Sequence, residues 1–281
     1  MTAPVFPTTR VLDRSRRVVR HALRALRGRD LSLWTAGLTF FACIAAVPVL
    51  LLALRGAALL TSDRFTADGV AALVEALPDA HDGREGLPAL VEAALRSPWW
   101  VLLVALPPAT FYGEGLRRAM RQVAHSPPGA LVGWKGRFGF LPIVLLSPVL
   151  VVLLLVTAPA VAPLYTGGGA GPVWGVVATF HVDWLVVSVC LSVVYVVHSP
   201  AELPALTAVA CGFGTGAVVS GFLHGFLLFL SFPLDWSVPF AGIGVVGEAV
   251  ALALWLYLLH VLVLLGYRVA LSVRATRQAA E

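Results

Sequence analysis

Four ionisable side chains stand inside apolar runs where a bilayer, not water, would surround them: His181, Asp183, His224 and Glu248. With the last three apolar runs centred near residues 186, 218 and 254, all four fall in the outer half of the membrane. A charge near mid-membrane costs about 3 kcal/mol on insertion scales, so each group needs a partner or water. Two imidazoles and two carboxylates in one hydrated cavity could relay protons or hold a cationic substrate. The plainer alternative puts His181 and Asp183 at the interface and lets His224 hydrogen-bond its own helix. His260 stands apart, in the inner half of the last run. It lies about 120° around the helix from Glu248 at ~100° per residue, so it is expected to serve packing or interhelical hydrogen bonding.

Other chemistries lack their residues. Metal-dependent hydrolysis needs clustered His and Asp/Glu ligands. The chain has no H-E-x-x-H helix, no dense His/Asp run and no paired carboxylates in a soluble segment. A nucleophile elbow and a phosphate-binding glycine loop are also missing. Gly212-Phe-Gly-Thr-Gly216 is glycine-rich, but it sits within an apolar run and no lysine follows it. Cys43, Cys190 and Cys211 fall in apolar runs without C-x-x-C spacing, as small buried side chains would. No catalytic residue, metal or cofactor is expected, and the chain is not expected to be an enzyme.

The elements that must position these residues follow from composition. Of the 281 residues, 59% are hydrophobic and 12% charged, with mean hydropathy +0.88. A soluble domain carries about a quarter charged residues, so lipid must solvate much of this chain. The expected fold is all-α: a polytopic bundle of six transmembrane helices over 31–55, 98–113, 138–165, 173–198, 205–232 and 240–267. An Arg-rich arm (1–30) precedes the membrane domain (31–268), and a short tail (269–281) follows it. The arm holds eight arginines between residues 10 and 29. Without aromatic interleaving it reads as an anchor for anionic lipid headgroups, not as a nucleic-acid site. Its amphipathic period predicts a helix over 11–26 lying along the membrane surface.

Residues 61–97 are acidic and predict a small extracytoplasmic cap of two amphipathic segments, around 70–77 and 87–95. In the second span, Pro107-Pro108 is expected to kink or break the helix. Basic residues concentrate before the first span, between the second and third, and after the sixth. The positive-inside rule then places both termini in the cytoplasm, in the inner (plasma) membrane. Trp34, Trp99, Trp100, Trp174 and Tyr195 fall at the expected interfaces. In the fifth span Ala208, Gly212, Gly216 and Ser220 form a small-residue ridge at every fourth position. Such a ridge lets a second backbone approach closely, within the monomer or across a homo-oligomer.

Two stretches resemble a known family. Trp34-Thr-Ala-Gly-Leu-Thr-Phe-Phe-Ala-Cys-Ile-Ala-Ala-Val-Pro48 is similar to the opening helix of the YihY/virulence factor BrkB proteins. Gly247-Glu-Ala-Val-Ala-Leu-Ala-Leu-Trp-Leu-Tyr-Leu-Leu-His-Val-Leu-Val-Leu-Leu-Gly266 resembles their closing helix, with its Leu-Trp-Leu-Tyr core and Leu-Leu-Gly end. Pro204 and the glycine-bearing fifth span also fit. The chain departs from the pattern at Phe40-Phe41, where tyrosine is usual, and at Tyr267-Arg268, where a small and then an acidic residue are common. The resemblance implies a six-helix inner-membrane protein, and ties one relative to virulence. The ribonuclease label the family has carried is not expected to apply here. Two functions stay open: a transporter-like protein of unknown substrate, or a non-catalytic scaffold or envelope-integrity factor.

Overall fold

The computed structural model describes residues 18–26, 30–75, 83–127, 129–166, 169–201, 203–230 and 238–278. Most of the arm, residues 76–82, residues 231–237 and the last three residues lie outside them. Every regular element among the described residues is helical. They are α1 (residues 18–26), α2 (Leu31–Leu60), α3 (Asp63–Glu75), α4 (Gly83–Arg96), α5 (Trp99–Ala124), α6 (Val132–Thr166), α7 (Gly171–His198), α8 (Ala205–Leu230) and α9 (Gly244–Gln278), with one 3-10 turn at Val238–Phe240. In lipid a backbone must satisfy its own polar groups, and helices do so within each segment.

Five of these helices are long and apolar enough to cross a membrane: α2, α6, α7, α8 and α9. The expected second span is the first half of α5. Its apolar stretch, residues 99–113, rises only about 22 Å at ~1.5 Å per residue, short of a ~30 Å core. The second half of α5 carries Glu114, Arg117, Arg118 and Arg121. Even so, α5 is central, packing against both α2 and α6 and burying Ala109, Gly113, Leu116, Met120 and Val123. Pro107-Pro108 does not break it. The helix runs through both prolines, because neighbours on two sides support a turn that lacks two donors.

The principal core gathers Leu38, Leu116, Met120, Phe140, Leu191, Tyr195, Leu264 and Tyr267. The wide apolar faces of α2, α6 and α9, with Phe40, Leu145 and Leu252 exposed, suit contact with lipid. Cys43 lies on such an outward face and is exposed, and Cys190 and Cys211 are half-buried, so none of the three is the fully buried side chain expected. A second, smaller core of Leu54, Val70, Val91, Ala94 and Leu155 docks α3 and α4 on α2 and α6. Opposite this cap, the bundle ends are basic. There α1 buries Val18 and Ala22, its His21 meets Ser272 of α9 at 3.1 Å, and Arg277 donates to Thr207 of α8. The described part of the arm is thus docked on the bundle. From Arg137 at the basic end to Leu155 under the cap, α6 rises about 27 Å, close to one hydrocarbon thickness.

The small-residue ridge faces α7. A Cβ at Gly212 would run into Ser192, and one at Gly216 into Ser188; Ala208 and Ser220 are fully buried. Four-residue spacing on both helices brings the backbones together, within one chain.

Candidate functional site

Of the four polar residues expected in the outer half of the bilayer, Asp183 and His224 meet. Asp183 Oδ2 lies 3.8 Å from His224 Nε2, with both side chains largely covered. The other imidazole nitrogen, Nδ1, is 3.0 Å from Ser220 O one turn back on α8. Phe180 packs its ring beside that of His224. On its other side Asp183 lines a cavity of about 100 Å³ with Thr157, Tyr165, Thr179 and Leu73 of the cap. His181 projects outward, its Nδ1 2.7 Å from Val177 O and its ring against Trp184. Glu248 is exposed and joins neither Asp183 nor His224. It sits near the start of α9, off the inward face marked by buried Gly247 and Ala251.

Deeper in the bundle is a buried polar chain through three helices. Thr39 of α2 is 3.1 Å from His260 Nδ1, and Tyr112 Oη of α5 is 2.9 Å from His260 Nε2. The tautomer follows from the hydroxyl. Thr39 donates its one proton to Thr35 O at 2.9 Å, so it accepts from Nδ1–H, and Nε2 accepts from the Tyr112 O–H. His260 and Tyr112 also line an open apolar groove of about 380 Å³, walled by Ala42, Ala45 and Val49 of α2 and Leu256 and Val263 of α9. Thr39 and Tyr112 carry no motif of their own. The available signal was Thr35 and Thr39, four apart among apolar neighbours on α2.

Tyr195, near the end of α7, is fully buried within the bundle. Its hydroxyl donates to Val263 O at 2.9 Å, because α9 comes close at Gly266, where any Cβ would strike Thr215 and the Tyr195 hydroxyl. The adjacent Tyr267, in the position where the chain departs from the family pattern, is fully buried and bonds Ser199 Oγ at 2.8 Å.

At the basic end, α5 and α6 cross where Gly113 and Gly136 face each other, each leaving no room for a Cβ on the other. That contact sets Glu114 against the start of α6. Glu114 Oε1 accepts from Arg118 Nε (3.0 Å) and Nη2 (2.7 Å), and Oε2 accepts from Arg137 Nε at 2.8 Å. Burial works to raise the Glu114 pKa, but the hydrogen bonds and charges of Arg137 and Arg118 outweigh it and hold the carboxyl below its ordinary value. Arg137 also lies over the Phe111 ring, 4.1 Å from its centroid. These groups form one wall of a cleft of about 880 Å³ between α2, α5 and the start of α6. The sequence presents this region only as a basic run.

Among the described residues, no three His, Cys, Asp or Glu side chains come together as metal ligands would. Residues 22–281 match a family model described as Virulence factor BrkB. No curated protein and no solved structure shows a significant match. The apolar helices and this match over nearly the whole described chain lead to one conclusion: the chain is a multi-pass membrane protein that belongs to the Virulence factor BrkB family.

Proposed function

We propose that this protein is transporter-like, with α5 as a short sixth span and both termini on the cytoplasmic side. Basic residues gathered at one end of the bundle, opposite the acidic cap, support that orientation. The observation that carries the transport reading is the Tyr112–His260–Thr39 chain beside an open groove of about 380 Å³. Buried polar groups in a spanning bundle mark substrate paths and proton relays, because they cost stability wherever they serve no purpose. Here exchangeable protons run in sequence across three helices, with space for a small apolar or amphiphilic solute next to them.

The test is flux through purified protein in vesicles, across small cations, lipids and organic solutes. One class is expected to move above the empty-vesicle background, and both His260→Phe and Thr39→Val should reduce that flux at least ten-fold. Glu248→Gln should leave it unchanged, since Glu248 is exposed and outside the chain of hydrogen bonds. Background-level flux for every class, or full flux in both variants, defeats the reading.

A second reading, a non-transporting envelope factor, draws on the folded cap with its own core of Val70, Val91 and Leu155. It requires a stable partner recovered by pull-down, and that recovery should depend on residues 61–97 or 1–30.

A further inference from the structure

We propose that the cleft between α2, α5 and the start of α6 binds a phosphate-type anion, carried on a lipid headgroup or free in solution. Three guanidinium groups line it, those of Arg118, Arg121 and Arg137, against one carboxylate, Glu114. Both Glu114 oxygens are already engaged by Arg118 and Arg137. The carboxylate therefore orients these two side chains, and among the described residues no hydrogen bond engages Arg118 Nη1 or the Arg137 terminal nitrogens, which can donate to a ligand. Arg121 has no carboxylate partner among the described residues, and its guanidinium rests against Gly129, where a Cβ would lie 3.1 Å from Nη1. Net of Glu114, two positive charges face the cleft. A phosphate monoester at about −1.5 to −2 matches them, and the planar fork of arginine fits phosphate oxygens better than a lysine would.

The cleft is also built at the right depth for an amphiphile. Trp34, Phe41 and Trp134 line it beside the arginines, and Trp prefers the headgroup level of a bilayer. Gly133 keeps it open, since a Cβ there would press on Glu114 at 2.9 Å. A volume of about 880 Å³ holds a headgroup with room for its first ester carbons. This site lies at the basic end of the bundle, apart from the Tyr112–His260–Thr39 chain. Binding there needs no transport, so failure of a flux assay and failure of this proposal are separate results.

The experiment uses the full chain in detergent and in phosphatidylcholine nanodiscs. Two probes are titrated, a tail-labelled phosphatidic acid against tail-labelled phosphatidylcholine, and glycerol 3-phosphate. Phosphatidic acid is expected to bind at least ten-fold tighter than phosphatidylcholine, with affinity falling as salt rises. Arg121→Gln should weaken binding on the order of ten-fold, and Arg64→Gln in the cap should not. Competition by glycerol 3-phosphate identifies a free solute as the source of the anion; binding of phosphatidic acid without that competition identifies the lipid headgroup. Arg121 holds no described ion pair, so its replacement spares the fold, and the thermal midpoint in the absence of probe verifies this. If neither probe binds in preference to phosphatidylcholine or chloride, the proposal is overturned. Wild-type affinity in both Arg121→Gln and Arg118→Gln overturns it equally.

Discussion

Tyr112 and His260, 148 residues apart in sequence, are joined by a 2.9 Å hydrogen bond inside the helix bundle. The Tyr112 hydroxyl donates a hydrogen bond to Nε2, and Thr39 accepts one from Nδ1–H, so neither imidazole nitrogen is left bare in an apolar surround. Removing one partner should therefore cost more than a typical hydrogen bond. Tyr112→Phe is expected to lower stability by about 1–3 kcal/mol, because Nε2 would stay buried and unsatisfied. The double variant Tyr112→Phe/His260→Leu should lose less than the two single changes combined. Thermal unfolding in one detergent gives all four corners of the cycle, and strict additivity would show that the bond contributes nothing.

Glu114 sits between Arg118 and Arg137, with its side chain only 11% exposed. Its pKa is lowered from the ordinary value of 4.5. A carboxyl depressed in the folded state stabilises the fold above its unfolded pKa, and that contribution fades as pH falls through the folded value. The wild-type unfolding temperature should thus fall on acidification below pH 4.5. Glu114→Gln should lose about 1–3 kcal/mol at neutral pH, discounted for the partly exposed Arg118, and should show a shallower acid slope. Parallel acid slopes in the two proteins would disprove the role.

Gly216 and Ser188 hold α8 against α7. A leucine at Gly216 cannot fit while the two backbones keep their spacing, so Gly216→Leu should abolish the folded monodisperse species. Gly214 has open space around its Cβ position, and Gly214→Ala is expected to be tolerated. Fluorescence-detected size exclusion distinguishes the two. Equal profiles for both variants would mean that the α7–α8 contact is not what the ridge serves.

Orientation can be read with cysteine labelling. Arg64 in the cap is 92% exposed, and Gln122 at the basic end is also exposed. After replacement of Cys43, Cys190 and Cys211, Arg64→Cys should react with a membrane-impermeant reagent in intact cells. Gln122→Cys should react only once the membrane is opened. Labelling of both from outside would place them on one face and refute the proposed topology.

The membrane bundle was legible in the residues themselves. Lipid replaces water as solvent, so the scarcity of charge and the length of the apolar runs report a helical membrane bundle directly, although one of the six expected spans is too short to stand among the five long apolar helices. The ridge on α8 was legible for a similar reason, since a four-residue period of small side chains has a fixed meaning on a helix. The closing helix pointed to the family, and its Gly266 has a steric role in this chain, since any Cβ there would strike Thr215 and the Tyr195 hydroxyl. What pairs with what was not legible. Glu248 was expected at the depth of His224, yet depth would fix only one coordinate, and the carboxylate is exposed on α9. Thr39 and His260 are 221 residues apart, and Glu114 and Arg137 are 23 apart on different helices. Helix rotation and crossing position decide such contacts. Both depend on the whole set of packed side chains, here on a glycine pair at Gly113 and Gly136, so only the tertiary structure could bring the polar chain and the basic cleft together.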